Sequence, residues 1–119
     1  MKEPEHPDLS LRTRAFALRV IRLTSSLPRS MEAQVLGRQV LRSGTSVVAN
    51  YREAQRARSK AEFIAKIGDC LKEQDETMYW LLLLSEAEIV PAKRLQPLMD
   101  ECNELLAIFT TIHKRSKGS

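Results

Sequence analysis

The chain has 119 residues, of which 43% are hydrophobic and 29% are charged, and its formal net charge is +4. This composition is that of one globular domain with a single core, and it excludes an intrinsically disordered chain. The longest uninterrupted apolar run is the seven residues 78–84. A membrane-spanning helix needs about 20, so no membrane partner is expected.

Two features of the sequence favour a cytoplasmic protein. Residues 1–10 are charged and interrupted by prolines, without the apolar segment of a secretory signal. The two cysteines, Cys70 and Cys102, therefore come without a signal, which is typical of free thiols in a reducing compartment. We expect a cytoplasmic location and no disulfide bond.

The positive charge is concentrated in the first half of the chain. Residues 1–60 contain 12 Lys and Arg against 5 Asp and Glu, whereas residues 61–119 contain 7 against 10. Eleven basic residues lie between Arg12 and Lys60, and ten of them are arginines. Guanidinium groups suit two-point contacts with phosphate or carboxylate. Two partners therefore fit this pattern: an external polyanion, or the acidic half of a neighbouring copy.

Apolar residues recur at steps of three and four in four successive segments, the spacing of one face of an α-helix. No strand-like alternation of comparable length is present. The sequence therefore predicts one all-α domain, residues 1–119. The predicted bounds are roughly 9–27, 30–57, 59–89 and 92–115 for the helices, with loose tails at 1–8 and 116–119.

Residues near the predicted helix ends support these bounds. Ser30 is placed to cap the second helix, and Ser59 and Glu62 match a capping box at the start of the third. Pro91 is expected to end the third helix, and Pro97 predicts that the fourth begins late or kinks there. Because the connections are short, neighbouring helices must be antiparallel. This predicts an up-down-up-down four-helix bundle.

Two polar residues, Gln74 and Thr77, fall on the predicted core stripe of the third helix. A buried amide or hydroxyl needs hydrogen-bond partners. We therefore predict that both side chains form hydrogen bonds that fix the register of the bundle.

The first and third predicted helices carry apolar residues on a second face, away from the core stripe. A monomer would expose both sets, and exposed patches that contain Trp and Tyr are typical of protein interfaces. We therefore predict a closed homo-oligomer. The alternative is that a twisted bundle covers part of the aromatic pair within one chain. The predicted interface residues are Leu11, Leu18, Ile21, Tyr79, Trp80 and Leu83.

Patterns typical of catalysis or metal binding are weak. Cys70 and Cys102 fall on core stripes, where cysteine packs as a small hydrophobic residue. Neither His6 nor His113 has a nucleophilic residue at a sequence spacing typical of a catalytic pair, and the sequence has no Gly-rich phosphate loop. The one Glu-x-x-His match, at residues 3–6, contains a proline and is not the helical motif of di-iron bundles. We expect no enzymatic activity, no cofactor and no metal.

Arginines form a stripe along the second predicted helix, within an arc of about 80°. This basic face continues around the turn to the third helix. One interpretation is a solvated face that pairs with acidic residues of another helix; the other is a surface that contacts the phosphates of RNA or DNA. Aromatic residues for base stacking are absent from it, which argues against sequence-specific reading of single strands. The candidate residues are Arg38, Arg42, Arg52, Arg56, Arg58 and Lys60.

A distinctive pattern begins near the end of the second predicted helix. It reads Asn50…Glu53-Ala54…Ala57-Arg58-Ser59-Lys60…Phe63…Lys66 and continues as Leu71-Lys72-Glu73…Glu76-Thr77-Met78-Tyr79-Trp80-Leu81…Leu83-Leu84. This pattern resembles the bacterial four helix bundle protein family, whose founding members are encoded in intervening sequences of 23S ribosomal RNA genes. The resemblance covers roughly residues 10–112. It implies a four-helix bundle that assembles as a homopentamer.

The resemblance extends to the accessory variability proteins of diversity-generating retroelements, which are basic pentameric bundles that bind nucleic acid and a reverse transcriptase. Structured RNA or DNA is therefore an implied partner, and a reverse transcriptase is one by family analogy. The chain reads Asn50-Tyr51-Arg52-Glu53-Ala54 where many members read Asn-Ile-Ala-Glu-Gly, which places it in an alanine-bearing subgroup. The leading hypothesis is a non-enzymatic oligomer that binds nucleic acid. The alternative is a structural or protein-binding scaffold whose arginines serve the subunit interface.

Overall fold

The computed structural model describes residues 9–118, which form four α-helices and contain no strand. Each helix packs against the next in chain order, and the fourth returns to the first, in a rod of 46 × 21 × 20 Å. The predicted all-α four-helix bundle is confirmed. The helices are α1 (Leu9–Ser25), α2 (Met31–Gln55), α3 (Lys60–Glu86) and α4 (Ala92–Gly118).

Both predicted serine caps are present. Ser30 accepts a hydrogen bond from the N–H of Ala33 at 3.2 Å, and Ser59 accepts one from the N–H of Glu62 at 3.0 Å. The Glu62 carboxylate reaches back to the N–H of Arg58 at 3.1 Å. These contacts satisfy N–H groups near the helix starts that have no acceptor inside the helix. The starts of α2 and α3 are therefore specified locally.

The end of α3 comes three residues before the predicted bound. There the N–H of Ile89 donates to the carbonyl of Leu84 at 3.1 Å, and the N–H of Glu88 donates to the carbonyl of Ser85 at 3.0 Å. Glu88 has a φ of 59°, in the left-handed region. A left-handed residue with these two back-bonds is a Schellman motif. This motif turns the chain before it reaches the proline that was expected to end the helix.

The start of α4 excludes one of the two expectations from Pro97, the late start, and agrees with the predicted bound at residue 92. The helix begins at Ala92 and includes Pro97, so it does not begin late. Its first hydrogen bonds run from the N–H groups of Arg94 and Leu95 to the carbonyl of Pro91. The helix is established before the proline is reached, and burial of Leu95 holds this first turn against the core.

The other end of α4 is longer than predicted. Residues 116–118, expected in a loose tail, belong to the helix, and Ser116 is buried. Arg115 and Lys117 lie in the last turn, where basic residues interact favourably with the negative end of the helix dipole. The tail predicted at residues 1–8, and Ser119, lie outside the described residues.

The predicted apolar stripes of all four helices meet in one core. Thr77 Oγ1 of α3 lies 2.7 Å from Ser43 Oγ of α2, and Gln74 Nε2 of α3 donates to Cys102 Sγ of α4 at 3.1 Å. The predicted hydrogen bonds of Gln74 and Thr77 are therefore present. The largest fully buried side chains include Phe16, Phe109, Leu9, Ile67, Leu81, Leu84, Leu95 and Leu105.

Both cysteines are buried packing residues. Burial raises the pKa of Cys70 to about 12 and the pKa of Cys102 to about 11. Thiolates, not thiols, act as nucleophiles, and both groups remain protonated at neutral pH. Neither cysteine is therefore suited to nucleophilic chemistry.

Two glycines of α2 allow α1 to approach closely. A Cβ at Gly44 would lie 3.0 Å from Cγ2 and 3.1 Å from Cγ1 of Val20, and a Cβ at Gly37 would lie 2.8 Å from Cδ1 of Leu27. Val20 is fully buried, and its β-branched side chain has little freedom to rotate. Leu27 is only half-buried, and its terminal methyl group can turn away.

We predict opposite effects of alanine at these two glycines. Gly44→Ala should lower the free energy of unfolding by about 1 kcal/mol, because overpacking against Val20 costs about 1–3 kcal/mol and helix propensity returns about 1 kcal/mol. Gly37→Ala should raise it by up to about 1 kcal/mol. Urea unfolding monitored by circular dichroism measures both. Changes of the same sign and size would show that Val20 does not limit the spacing of α1 and α2.

Candidate nucleic-acid and subunit interfaces

The six predicted basic residues are all exposed, and three of them lie in α2. Arg38 lies near the start of α2, whereas Arg52 lies in its last turn and Arg56 is its C-cap. At 1.5 Å per residue, Arg38 and Arg52 are about 21 Å apart along the helix. Arg58 and Lys60 follow Arg56 directly. The structure therefore groups four of the six at the end of the bundle where α2 passes to α3.

Arg42 differs from the other predicted arginines because it is neutralised within the chain. Its Nη1 lies 3.3 Å from Oε1 of Glu73, and its Nη2 contacts Oε2 of Glu76. Arg38, Arg52 and Arg56 form no ion pair within residues 9–118. Pairing with acidic residues of another helix, one of the two interpretations of the stripe, thus applies to Arg42.

Three further basic residues lie at the same end of the bundle and were missed in the sequence. They are Lys114, Arg115 and Lys117 of α4, all exposed. Because α4 runs antiparallel to α3, its last turns lie beside the start of α3, where a Cβ at Gly68 would approach His113. The antiparallel topology and the predicted helix 92–115 implied this position for Lys114 and Arg115, whereas Lys117 fell in the residues assigned to a loose tail. We call the seven residues at this end the basic end: Arg52, Arg56, Arg58, Lys60, Lys114, Arg115 and Lys117.

The carboxylates near the basic end have other contacts. Glu53 forms an ion pair with Lys66, with Oε1 and Nζ 2.6 Å apart. Glu62 accepts a backbone hydrogen bond at the start of α3. Arg52 and Arg56 are therefore left without a carboxylate partner in the part of the chain that the structure describes.

The predicted interface residues of α1 are exposed on its outer face. The exposed fractions are 62% for Leu11, 43% for Leu18 and 40% for Ile21. Within residues 9–25 the helix carries four arginines and no acidic residue. Arg12 is paired, with its Nη2 2.8 Å from Glu101 and 2.9 Å from Glu104 of α4. Its hydrogen bond to Glu101 raises the pKa of Arg12 above its usual value. The remaining outer face of α1 is apolar and positive.

The aromatic pair of α3 is covered unequally. Trp80 is half-buried, packs against the core and donates from Nε1 to Glu76 at 3.2 Å. Tyr79 is 57% exposed and meets the Trp80 ring edge-on, with ring centroids 6.1 Å apart. Leu83 is half-buried. One chain therefore covers part of Trp80, as the alternative held, but leaves Tyr79 open to solvent.

The surroundings of Tyr79 on α3 are acidic. Asp69, Asp75 and Glu86 are exposed and form no ion pair within residues 9–118. An open depression of about 430 Å³ lies beside Tyr79, and its lining includes Asp75, Lys72 and Leu82. This face of α3 is apolar and carries more carboxylates than basic residues, whereas the outer face of α1 is apolar and positive.

The structure offers no clear metal or membrane site in its described part. No group of three or more His, Cys, Asp or Glu residues within 9–118 is arranged to hold a metal ion. None of the four helices in that range is long and apolar enough to cross a bilayer.

Comparison with known proteins identifies the family to which this chain belongs. Residues 8–111 match the model of the 23S rRNA-intervening sequence protein family. The chain belongs to this family. A similar solved structure, a protein with unknown function from the S23 ribosomal protein family of Bacteroides thetaiotaomicron VPI-5482, is 36% identical, with a TM-score of 0.83 over 88% of this chain and 97% of that one. No curated protein sequence matches the chain. The family assignment made from the central pattern is confirmed.

We predict that the arginines of this 23S rRNA-intervening sequence family protein differ in their contribution to stability. Arg42→Gln should lower the free energy of unfolding by up to about 1 kcal/mol, because it removes two partly exposed ion pairs. Arg52→Gln is the matched control and should change it by less than about 0.5 kcal/mol. Urea unfolding of both variants measures the difference. Equal losses would mean that the contacts with Glu73 and Glu76 do not stabilise the fold.

Proposed function

We propose that this protein is a non-enzymatic, cytoplasmic homo-oligomer that binds RNA or DNA through phosphate contacts from the basic end. The observation that carries the proposal is the collection of seven basic residues from α2, α3 and α4 at one end of the bundle, where the nearby Glu53 and Glu62 have other contacts. Within residues 9–118, Arg52 and Arg56 form no ion pair, and positive charge that is not neutralised attracts polyanions.

The residue types at the basic end favour phosphate contacts over reading of bases. Its members are arginines and lysines, which bind phosphate oxygens. No aromatic residue belongs to the set, so base stacking does not contribute. The family description refers to 23S rRNA, and the similar Bacteroides protein comes from a family described as ribosomal. Both descriptions are consistent with a nucleic-acid partner.

A scaffold function is the second candidate, and Arg42 supports it. This arginine already pairs with two carboxylates of α3, which shows that part of the predicted basic stripe serves helix packing. In a scaffold, the arginines without partners would pair with acidic residues of a neighbouring copy. The two candidates predict opposite behaviour of the same variants.

The nucleic-acid proposal predicts salt-dependent binding that tolerates changes of base sequence. Wild type should bind duplex DNA or structured RNA in a fluorescence-polarisation titration, and the logarithm of the affinity should fall linearly with the logarithm of the salt concentration. Arg52→Gln and Arg56→Gln should each reduce that slope by about one unit. Arg42→Gln is the matched control and should have a smaller effect, because carboxylates already neutralise that side chain.

The scaffold alternative predicts a different result from the same titration. Wild type would show no binding at about 0.15 M salt, where charges more than about 8 Å apart are largely screened. Arg52→Gln and Arg56→Gln would instead lower the oligomer mass measured by light scattering. Absence of binding to both DNA and RNA would overturn the nucleic-acid proposal.

The oligomer proposal rests on the complementary outer faces of α1 and α3. Leu11, Leu18 and Ile21 are exposed on the positive helix. Tyr79 is exposed among the carboxylates of α3. Contact between α1 of one copy and α3 of the next is heterologous, and a heterologous contact closes into a ring when its rotation allows. Five copies are favoured by the family resemblance.

We predict that single charge substitutions on either face dissociate the oligomer. Wild type should have several times the chain mass of 13.6 kDa by light scattering at micromolar concentration. Leu18→Glu places a carboxylate against the acidic face of α3, and Tyr79→Lys places an ammonium group against the arginines of α1, so each variant alone should be a monomer. Trp80 is unsuitable for this test because it also packs against the core.

Mixing the two variants tests whether the contact is heterologous. Each variant retains one intact face, so an equimolar mixture should associate through the α3 of Leu18→Glu and the α1 of Tyr79→Lys. If the contact used only one face twice, one of the two substitutions would leave the oligomer unchanged and the mixture would not recover a dimer. A monomeric wild type of normal stability would contradict the oligomer proposal.

A further inference from the structure

A second basic site lies at the opposite end of the bundle from the basic end. There the last turns of α1 and the first turns of α4 border an open groove of about 220 Å³. No carboxylate belongs to its lining. The lining residues are Arg19, Arg22 and Arg94, above an apolar floor of Leu23, Leu95 and Leu98.

The charge of this groove is not compensated by the protein. Two turns earlier on α1, Arg12 is held by Glu101 and Glu104 of α4. At the level of the groove, α4 presents another arginine and two leucines instead of carboxylates. None of the three groove arginines forms an ion pair within residues 9–118. The facing charges of α1 and α4 are thus opposite in sign at Arg12 and of the same sign at the groove.

The arrangement of the groove favours an anion. Arg94 Nη2 donates to Ser26 Oγ at 2.6 Å, which ties this guanidinium to the end of α1. The groove includes residues of the first turn of α4, which has no acidic residue, whereas the first turns of α2 and α3 contain Glu32 and Glu62. The positive end of the α4 dipole therefore adds to the charge of the arginines.

We propose that this groove binds a phosphoryl group, as a phosphate monoester or a pyrophosphate. Guanidinium groups pair with phosphate oxygens in a two-point geometry, and several of them suit an anion with more than one charge. The volume lies below the range of about 300–1,000 Å³ that is usual for drug-sized ligands, so it fits a phosphoryl group with a small attached body. The apolar floor can hold the carbon part of that body.

The phosphoryl group has two possible sources, a small phosphorylated compound or the 5′-phosphate at the end of a nucleic-acid strand. The groove proposal is separate from the nucleic-acid proposal, because no groove arginine belongs to the basic end. Pyrophosphate binding by a protein that binds no nucleic acid would support the groove and overturn the proposed function. Nucleic-acid binding by a protein that neither binds pyrophosphate nor distinguishes the two strand ends would support the proposed function and overturn the groove.

Calorimetric titration of the full chain with inorganic pyrophosphate in metal-free buffer tests the groove. We expect saturable binding of one pyrophosphate per chain. Arg22→Gln should weaken it by at least about tenfold, because hydrogen bonds to charged groups contribute about that factor or more. Arg14→Gln is the matched control: Arg14 is an exposed arginine of α1 outside the groove lining. It should leave the affinity within about twofold.

A second arm identifies the source of the phosphate. Two oligonucleotides of the same sequence, one with a 5′-phosphate and one with a 5′-hydroxyl, are titrated by fluorescence polarisation. Tighter binding of the phosphorylated strand, lost in Arg22→Gln, assigns the groove to strand ends; equal binding of both strands, with specific pyrophosphate binding, assigns it to a small phosphorylated compound. The proposal is overturned if Arg14→Gln and Arg22→Gln weaken pyrophosphate binding equally. It is also overturned if wild type neither binds pyrophosphate nor distinguishes the strands.

Discussion

The charged surface of this bundle depends on one buried contact, the pairing of Thr77 of α3 with Ser43 of α2. Both side chains are fully buried and their oxygens lie 2.7 Å apart. A slide of α3 by one turn, about 5.4 Å, would break this contact at a cost of about 0.5–1.5 kcal/mol, because each hydroxyl also bonds a carbonyl of its own helix. In the observed register Arg42 reaches Glu73 and Glu76. The contact that fixes the core therefore also decides which arginine of α2 is neutralised.

The arginines of the first half of the chain have two roles that their sequence does not distinguish. Arg12 and Arg42 join helices by pairing with carboxylates of α4 and α3. The basic end and the groove between α1 and α4 hold arginines without such partners, at opposite ends of the rod. The ion pairs of Arg12 and Arg42 thus lie between the two ends, while the arginines without partners at the ends remain available to anions.

The outer faces of α1 and α3 connect assembly with binding. The helix α1 is the shortest of the four, and α2 and α4 pack only against its core face. The outer faces of α1 and α3 are therefore not covered within one chain. In the proposed ring, contact between α1 and the next copy's α3 would bury Leu18 and Tyr79 and bring opposite charges together. Such a ring would also repeat the basic end around its circumference. Several basic ends that engage one strand together would bind more tightly than one.

The sequence by itself determined the number of helices, the faces that form the core, and the starts of α2 and α3. These features depend on interactions within a few residues: the period of the apolar pattern and the serine caps. The tertiary structure decided the rest, because it depends on what lies opposite each side chain on another helix. Arg42 and Arg52 have the same local setting on one stripe, yet only Arg42 meets carboxylates of α3. Trp80 and Tyr79 are adjacent, yet only Trp80 packs against the core. A shift of one residue in sequence rotates a side chain by about 100° around the helix, so a partner on the neighbouring helix is decided by register and rotation, which no local pattern specifies.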